Sequence, residues 1–169
     1  KKKKKCFGAS PLGSEKQDRL LVRFSSQENP FFWTPSATNT AGSLRIGSGS
    51  EIITAIKTRR EIIILTDTSV HSMQFIGPPF TFGINQLASA ITVRGFNSAV
   101  AVGDAVMWMG YDRFYIYDGR VQVIPCSVRD FVFKDFNENQ ADKVYAGVNS
   151  AFGEVFWFYP STTNSVSNG

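Results

Sequence analysis

The chain is poor in the residues that most often carry chemistry, with one histidine, two cysteines and three methionines in 169 residues. His71 sits in TDTSVHSMQF, where alternation makes it a strand residue. No neighbouring motif supplies the partner that orients a catalytic or metal-bound imidazole, so a structural role is expected. Cys6 and Cys126 follow no metal-ligand or redox spacing, which excludes zinc-ribbon and CxxC chemistry. They read as two free thiols of a chain folded in a reducing cytoplasm, with one long-range disulfide as the alternative. No apolar run approaches the ~18 residues of a membrane helix, and no signal peptide is visible, so no membrane span is expected. An initiator Met is also lacking and the sequence closes on Ser-Val-Ser-Asn-Gly, which is read as a segment of a longer polypeptide.

Charge of one sign is scarce once its distribution is considered. The net charge of +4 suggests an acidic partner, but 18 Lys and Arg fall to 13 when Lys1, Lys2, Lys3, Lys4 and Lys5 are set aside, against 14 Asp and Glu. The body is then about neutral, and the lysine run reads as a disordered tail or an added terminal sequence.

Paired carboxylates, which propeller-shaped glycosidases use, are not evident. Asp67, Asp104, Asp112 and Asp118 all fall at expected turns, where aspartate hydrogen-bonds its own backbone. Glu61 and Glu154 open equivalent strands. Gly47-Ser48-Gly49-Ser50 lacks the following Lys and helix of a phosphate cradle. No catalytic residue, metal ligand or cofactor site is assigned.

What the chain does have is aromatic residues and short strands. Fifteen Phe, five Tyr and three Trp make up 14% of it, gathered in FFW, MWM, RFYIY and VFWFY. The stretch from Asn97 to Pro125 reads as a meander of strands at 99–102, 105–109, 114–117 and 121–124. Asp118-Gly119 suits a two-residue type I′ turn and Gly103-Asp104 a type II′ turn. Tyr115 and Tyr117 share one face and Phe114 and Ile116 the other, so a sheet buried on both faces is expected.

Similar units flank it. Upstream, strands at 52–57, 61–66 and 69–75 end at Gly77-Pro78-Pro79-Phe80, with a further strand or connection at 87–94. Downstream, KVYAGVNSAFGEVFWFYP gives a hairpin turning at 150–153. A unit of roughly 40 to 50 residues with several strands predicts β-propeller blades. The fold class is therefore all-β: a β-propeller-like segment of successive antiparallel meander blades, incomplete in this chain. Its expected organisation is an N-terminal loop or tail over 1–19 and about three blades over 20–169. Ser127 to Asp130 resembles a capping box opening a short helix.

Residues 25–50 read as one irregular stretch holding Phe31, Phe32 and Trp33. A loop of that length in a compact domain is often functional or packed against something outside the chain. The simpler expectation is that these rings cap the bottom of the sheet; the other is an interface or ligand contact.

Several phrases, in order, carry a resemblance: VRFSSQENPFFWTPSATNTAGSLRIGSGSEIITAI, IIILTDTSVHSMQFIGPPFTF, AVMWMGYDRFYIYDGRVQVIPCSVRDFVFKDFN and GEVFWFYPS. Over about residues 20–161 the chain resembles the tail nozzle (tail tubular protein B-like) family of short-tailed bacteriophages. The resemblance implies a propeller-containing, non-enzymatic virion protein, assembled in the bacterial cytoplasm. It implies a homo-oligomeric ring, typically six copies, below the portal and adaptor and in touch with tail fibre proteins. Such a ring extends the DNA channel and helps retain and eject the genome, with double-stranded DNA passing through without specific binding. The lysine run has no counterpart in that family. Two other readings stand beside it. One is a carbohydrate-binding or glycan-degrading propeller, with Phe31, Phe32 and Trp33 as a stacking platform and Asp112 or Glu154 among the acids. The other is a propeller scaffold for peptide or protein partners.

Overall fold

The computed structural model describes residues 3–27 and 29–163. Along the chain come a three-stranded sheet of β1 (Lys5–Phe7), β2 (Leu21–Phe24) and β3 (Gly42–Arg45), then a four-stranded one. The latter comprises β4 (Ile52–Lys57), β5 (Ile62–Thr66), β6 (Ser69–Gly77) and β7 (Thr81–Ser89). A second four-stranded sheet follows, of β8 (Ala99–Val102), β9 (Ala105–Met109), β10 (Phe114–Tyr117) and β11 (Val121–Ile124). Helix α1 (Arg129–Asp135) and a 3-10 helix (Glu138–Lys143) lead to the last sheet, the hairpin of β12 (Tyr145–Asn149) and β13 (Glu154–Phe158). Every pairing is antiparallel between strands consecutive in sequence. The fold is all-β and propeller-like, and among the described residues none of the four sheets closes into a barrel.

Side-chain alternation explains how the sheets stack. On β5, Ile64 points with Met73 and Phe82 toward Val22 and Phe24 of the first sheet and Ile46 just after it, while Ile63 and Leu65 point the other way. There they meet Val106, Trp108, Tyr115 and Tyr117 of the third sheet. Met109 and Phe114, on the reverse face of that sheet, pack with Phe136, Val144 and Trp157. Three cores thus join four sheets, and each of the two central sheets is covered on both faces. Trp108 stacks on its cross-strand neighbour Tyr115 with ring centroids 5.3 Å apart.

The central meander has the strand limits expected from its sequence. Its last turn does not: Tyr117 pairs with Val121, leaving Asp118, Gly119 and Arg120 as a three-residue loop in which only Gly119 takes a positive φ, +115°. A type I′ turn needs two such residues, and Asp118 is not one. Gly103, at φ +64°, opens a two-residue turn as expected.

Four further expectations are corrected. Residues 1–19 are not simply a tail, because Lys5–Phe7 pairs with β2 and Phe7 packs on the first core; Lys1 and Lys2 lie outside the described residues, as do the closing residues 165–169. Residues 25–50 contain β3, whose one large apolar residue, Leu44, gives no visible alternation. Gly77-Pro78-Pro79-Phe80 does not end the second sheet but joins β6 to β7, since a hairpin turn makes no ladder bond that a proline would remove. Ser127 caps nothing: the residue before α1 is Val128, without a side-chain hydrogen bond to the helix. No helix among the described residues is long and apolar enough to cross a membrane.

Candidate functional site

The connection between β2 and β3 carries the aromatic trio. It is ordered by its own polar groups: Ser26 N–H donates to the Phe32 carbonyl (2.7 Å), and Phe31 N–H to Asn29 Oδ1 (3.1 Å). Asn39 Oδ1 accepts from Ser36 N–H and Ala41 N–H, while its Nδ2 donates to the Thr34 carbonyl. This framework turns Phe31 and Phe32 outward, 84% and 60% exposed. Trp33 is half-buried, lining a crevice with Pro11, Leu12 and Pro35, and its carbonyl accepts from Arg23 Nη2 (3.2 Å). Phe31 and Phe32 therefore do not cap the sheet; the turn chemistry of Asn29 and Asn39 prevails over burial of their rings.

Beside them lies a basic feature, Lys3 to Lys5, which is docked and not the disordered tail expected. Lys3 Nζ donates to the Thr40 carbonyl (2.9 Å) and sits 5.4 Å from the ring centroids of both Phe24 and Phe82. Lys5 Nζ stands 5.1 Å from Phe82, and Lys4 Nζ 5.6 Å from Phe31. Ring faces attract cations through their quadrupole, which holds the lysines in place. Lys3, Lys5, Gln27, Phe75 and Phe82 line a cavity of about 320 Å3. Burial lowers the pKa of Lys3 and Lys5, reinforced by Lys5 on Lys3 and by Lys57 on Lys5. The rings that hold it, Phe24, Phe31, Phe75 and Phe82, are scattered through the sequence, and aromatic content alone does not assign them to one surface.

Asp67, Asp104, Asp112, Asp118 and Glu154 are each engaged with a partner. Asp67 accepts from Ser50 N–H (2.8 Å) and Ser50 Oγ (2.7 Å), fastening the Gly47-to-Ser50 loop to the β5–β6 turn. Asp104 pairs with Arg60 across two sheets (3.5 Å), Asp112 with Arg113, and Asp118 accepts from Gln122. Glu154 accepts from Asn149 Nδ2 (3.4 Å). Asp112 and Glu154 are not brought together with the aromatic trio. His71 is buried in β6, with Nε2 at 2.8 Å from Ser69 Oγ and 3.1 Å from Ser48 Oγ, and burial lowers its pKa. Among the described residues no three His, Cys, Asp or Glu side chains gather to hold a metal ion. Cys6 and Cys126 are both free.

Two part-buried polar ties have no signal in the sequence. Tyr117 Oη donates to Glu61 Oε1 (2.9 Å), linking the two central sheets. The Arg94 guanidinium lies 4.0 Å from the Phe136 ring centroid and 4.7 Å from that of Tyr111. It pairs with Glu138 and donates to the Tyr111 carbonyl (2.8 Å). The Tyr117–Glu61 and Arg94–Glu138 pairs join residues 56 and 44 apart in sequence, and neither leaves a local pattern. No protein-family model matches the chain, and no curated protein matches its sequence.

Proposed function

We propose that this chain is a non-enzymatic structural subunit of a short-tailed phage tail, a propeller-like element of a ring that extends the DNA channel and helps retain and eject the genome. The observation that carries the reading is the use of its polar groups: Asp67, Asp104, Glu61 and the single histidine are engaged in turns and inter-sheet ties. A building element needs such rigidity, and a catalytic site needs groups held free for substrate. The motif order from VRFSSQENPFFWTP to GEVFWFYPS adds support through its resemblance to the tail nozzle family. Exposed Phe31 and Phe32 supply contact area for neighbouring copies, the portal and adaptor, or fibres, since aromatic rings concentrate binding energy at interfaces. In this reading six copies surround double-stranded DNA and let it slide.

The test is mass photometry of the purified protein with electron microscopy of the particle that encodes it. A closed ring, and density for the chain at the tail, are the expected results. A monomer at all concentrations together with no tail density overturns the reading.

The exposure of Phe31 and Phe32 also suits a carbohydrate-stacking platform, the second reading. A glycan array decides it: binding that disappears with Phe31→Ala favours the carbohydrate reading, and a blank array leaves the structural one.

A further inference from the structure

We propose that Ser48, Gln86 and His71 form a self-acting cross-linking site, in which the Ser48 hydroxyl attacks the Gln86 side-chain amide and leaves an ester between the two side chains. This goes beyond the structural reading above and does not depend on ring assembly.

The three residues come together from separate elements. His71 on β6 and Gln86 on β7 are cross-strand partners. The pairing steps from Val70 with Ala88 to His71 with Gln86, so Leu87 is an extra residue, a bulge of the kind that re-aims neighbouring side chains. Ser48 arrives from the loop that joins β3 to β4. Asp67 holds that loop through the N–H and the hydroxyl of Ser50, so Ser48 is presented from a fixed turn.

The distances are those of a nucleophile, its base and the carbonyl it attacks. Ser48 Oγ donates to Gln86 Oε1 (2.9 Å) and lies 3.1 Å from His71 Nε2. Hydroxyl and imidazole are thus within the ~2.6–3.2 Å reach of a base-activated serine. His71 is buried, and burial lowers its pKa, so the ring is neutral at pH 7 and Nε2 is ready to take a proton. Ser69, also buried, places its Oγ 2.8 Å from the same nitrogen and positions the ring. Thr66 Oγ1, 2.7 Å away, holds the Ser69 hydroxyl in turn.

Ser48 Oγ gives its proton to His71 Nε2 and bonds to the side-chain carbonyl carbon of Gln86. His71 returns that proton to the amide nitrogen as the carbon–nitrogen bond breaks, and ammonia leaves. Atoms and electrons balance with no oxidant or co-reactant. Gln86 is exposed, so ammonia escapes to solvent, where it is held as ammonium at neutral pH and the reverse reaction is starved. A primary amide is a weak electrophile, and fixed juxtaposition of the reacting groups is what offsets that weakness. The reaction runs once per molecule. Its product closes residues 48–86 into a covalent ring that contains β4, β5, β6 and most of β7, and it restricts the unfolded chain as a disulfide does.

The full chain is held folded at neutral pH for several days, then denatured, weighed intact by mass spectrometry and mapped with trypsin. The expected result is a loss of about 17 Da, one ammonia, as acyl transfer to the serine requires. Tryptic peptides 46–57 and 61–94 should appear joined, and hydroxylamine, which cleaves esters and spares amides, should separate them. Ser48→Ala and Gln86→Met, at positions that are not buried, should keep the circular dichroism of the wild type and form no link. His71→Gln should slow linking about 100-fold or more, the usual contribution of a general base. The proposal is overturned if the wild type keeps its full mass with 46–57 and 61–94 separate, or if Ser48→Ala loses ammonia to the same extent. Conversion of Gln86 to glutamate without a joined peptide overturns it equally.

Discussion

The phenol of Tyr117 on β10 donates a 2.9 Å hydrogen bond to the carboxylate of Glu61, at the entrance to β5 in the preceding sheet. Ser72 and Gln74 donate to the same carboxylate. Burial raises the pKa of Tyr117 and the bond to Glu61 raises it further, to about 12. A hydrogen bond to a charged group contributes about 1.5–3 kcal/mol, and here Tyr117 is buried while Glu61 is partly exposed. Tyr117→Phe should therefore cost about 1–2 kcal/mol, measured by urea unfolding, with the sheet content by circular dichroism unchanged.

Acid stability follows from Glu61 itself. Burial works against its charge, but the bonds from Ser72, Gln74 and Tyr117 outweigh burial and leave its pKa below the ordinary 4.5. A carboxylate with a depressed folded-state pKa contributes stability that is present above the unfolded pKa and lost as pH falls through the folded one. Unfolding free energy should decline below about pH 4.5 in the wild type. In Glu61→Gln the decline should be shallower, and equal slopes in the two proteins would refute the assignment.

His71 predicts a second, higher window. Its pKa is lowered by burial from the ordinary 6.5, so below pH 6.5 the unfolded chain binds a proton that the folded chain resists. Stability should fall as pH drops from 6.5 toward 5, and His71→Gln should remove that step while leaving the Glu61 step in place. Chemical unfolding at half-unit pH intervals separates the two.

Arg94 is 2% exposed and its partner Glu138 is 66% exposed. A lysine at 94 carries the charge but lacks the planar fork that serves Glu138 and the Tyr111 carbonyl together and stacks on Phe136. Arg94→Lys should cost about 1–3 kcal/mol in chemical unfolding. Glu138→Gln, at the exposed end of the pair, should cost less.

The aromatic residues should divide sharply by location. Trp108→Ala removes a fully buried ring from the core between the two central sheets and should cost about 3–5 kcal/mol. Phe31→Ser and Phe32→Ser should each change stability by no more than about 0.5 kcal/mol, as surface substitutions do. Thermal melts of the three variants check the division, and a destabilisation of several kcal/mol by Phe31→Ser would mean that its ring is buried by a partner.

Much of the architecture was readable in the chain because meanders are local. Strand limits at 99–102, 105–109, 114–117 and 121–124 follow from apolar runs punctuated by Gly103, Gly110 and Gly119, and each pairing is with the next strand in sequence. The first sheet was not readable. β1 is a lysine-bearing strand whose Lys5 lies over the Phe82 ring of β7, with Lys3 ahead of it over Phe24 of β2, and β3 has one large apolar residue, so tertiary contacts decide both. The candidate surface was half readable: FFW stands out as a cluster, but whether it points inward is set by Asn29 and Asn39 turn bonds that hydrophobicity does not reveal. Arg94 carried no signal, since an isolated arginine usually lies at the surface.

Each apolar core is shared only by layers adjacent in chain order, so little of the molecule must wait for distant residues before it consolidates. During synthesis the amino-terminal layers can close as soon as they clear the ribosome, as in solenoid arrays governed by nearest neighbours. Under tension along the chain, the same neighbour-only bonding makes the layers give way one after another, each release absorbing work, so a pulled copy yields in steps.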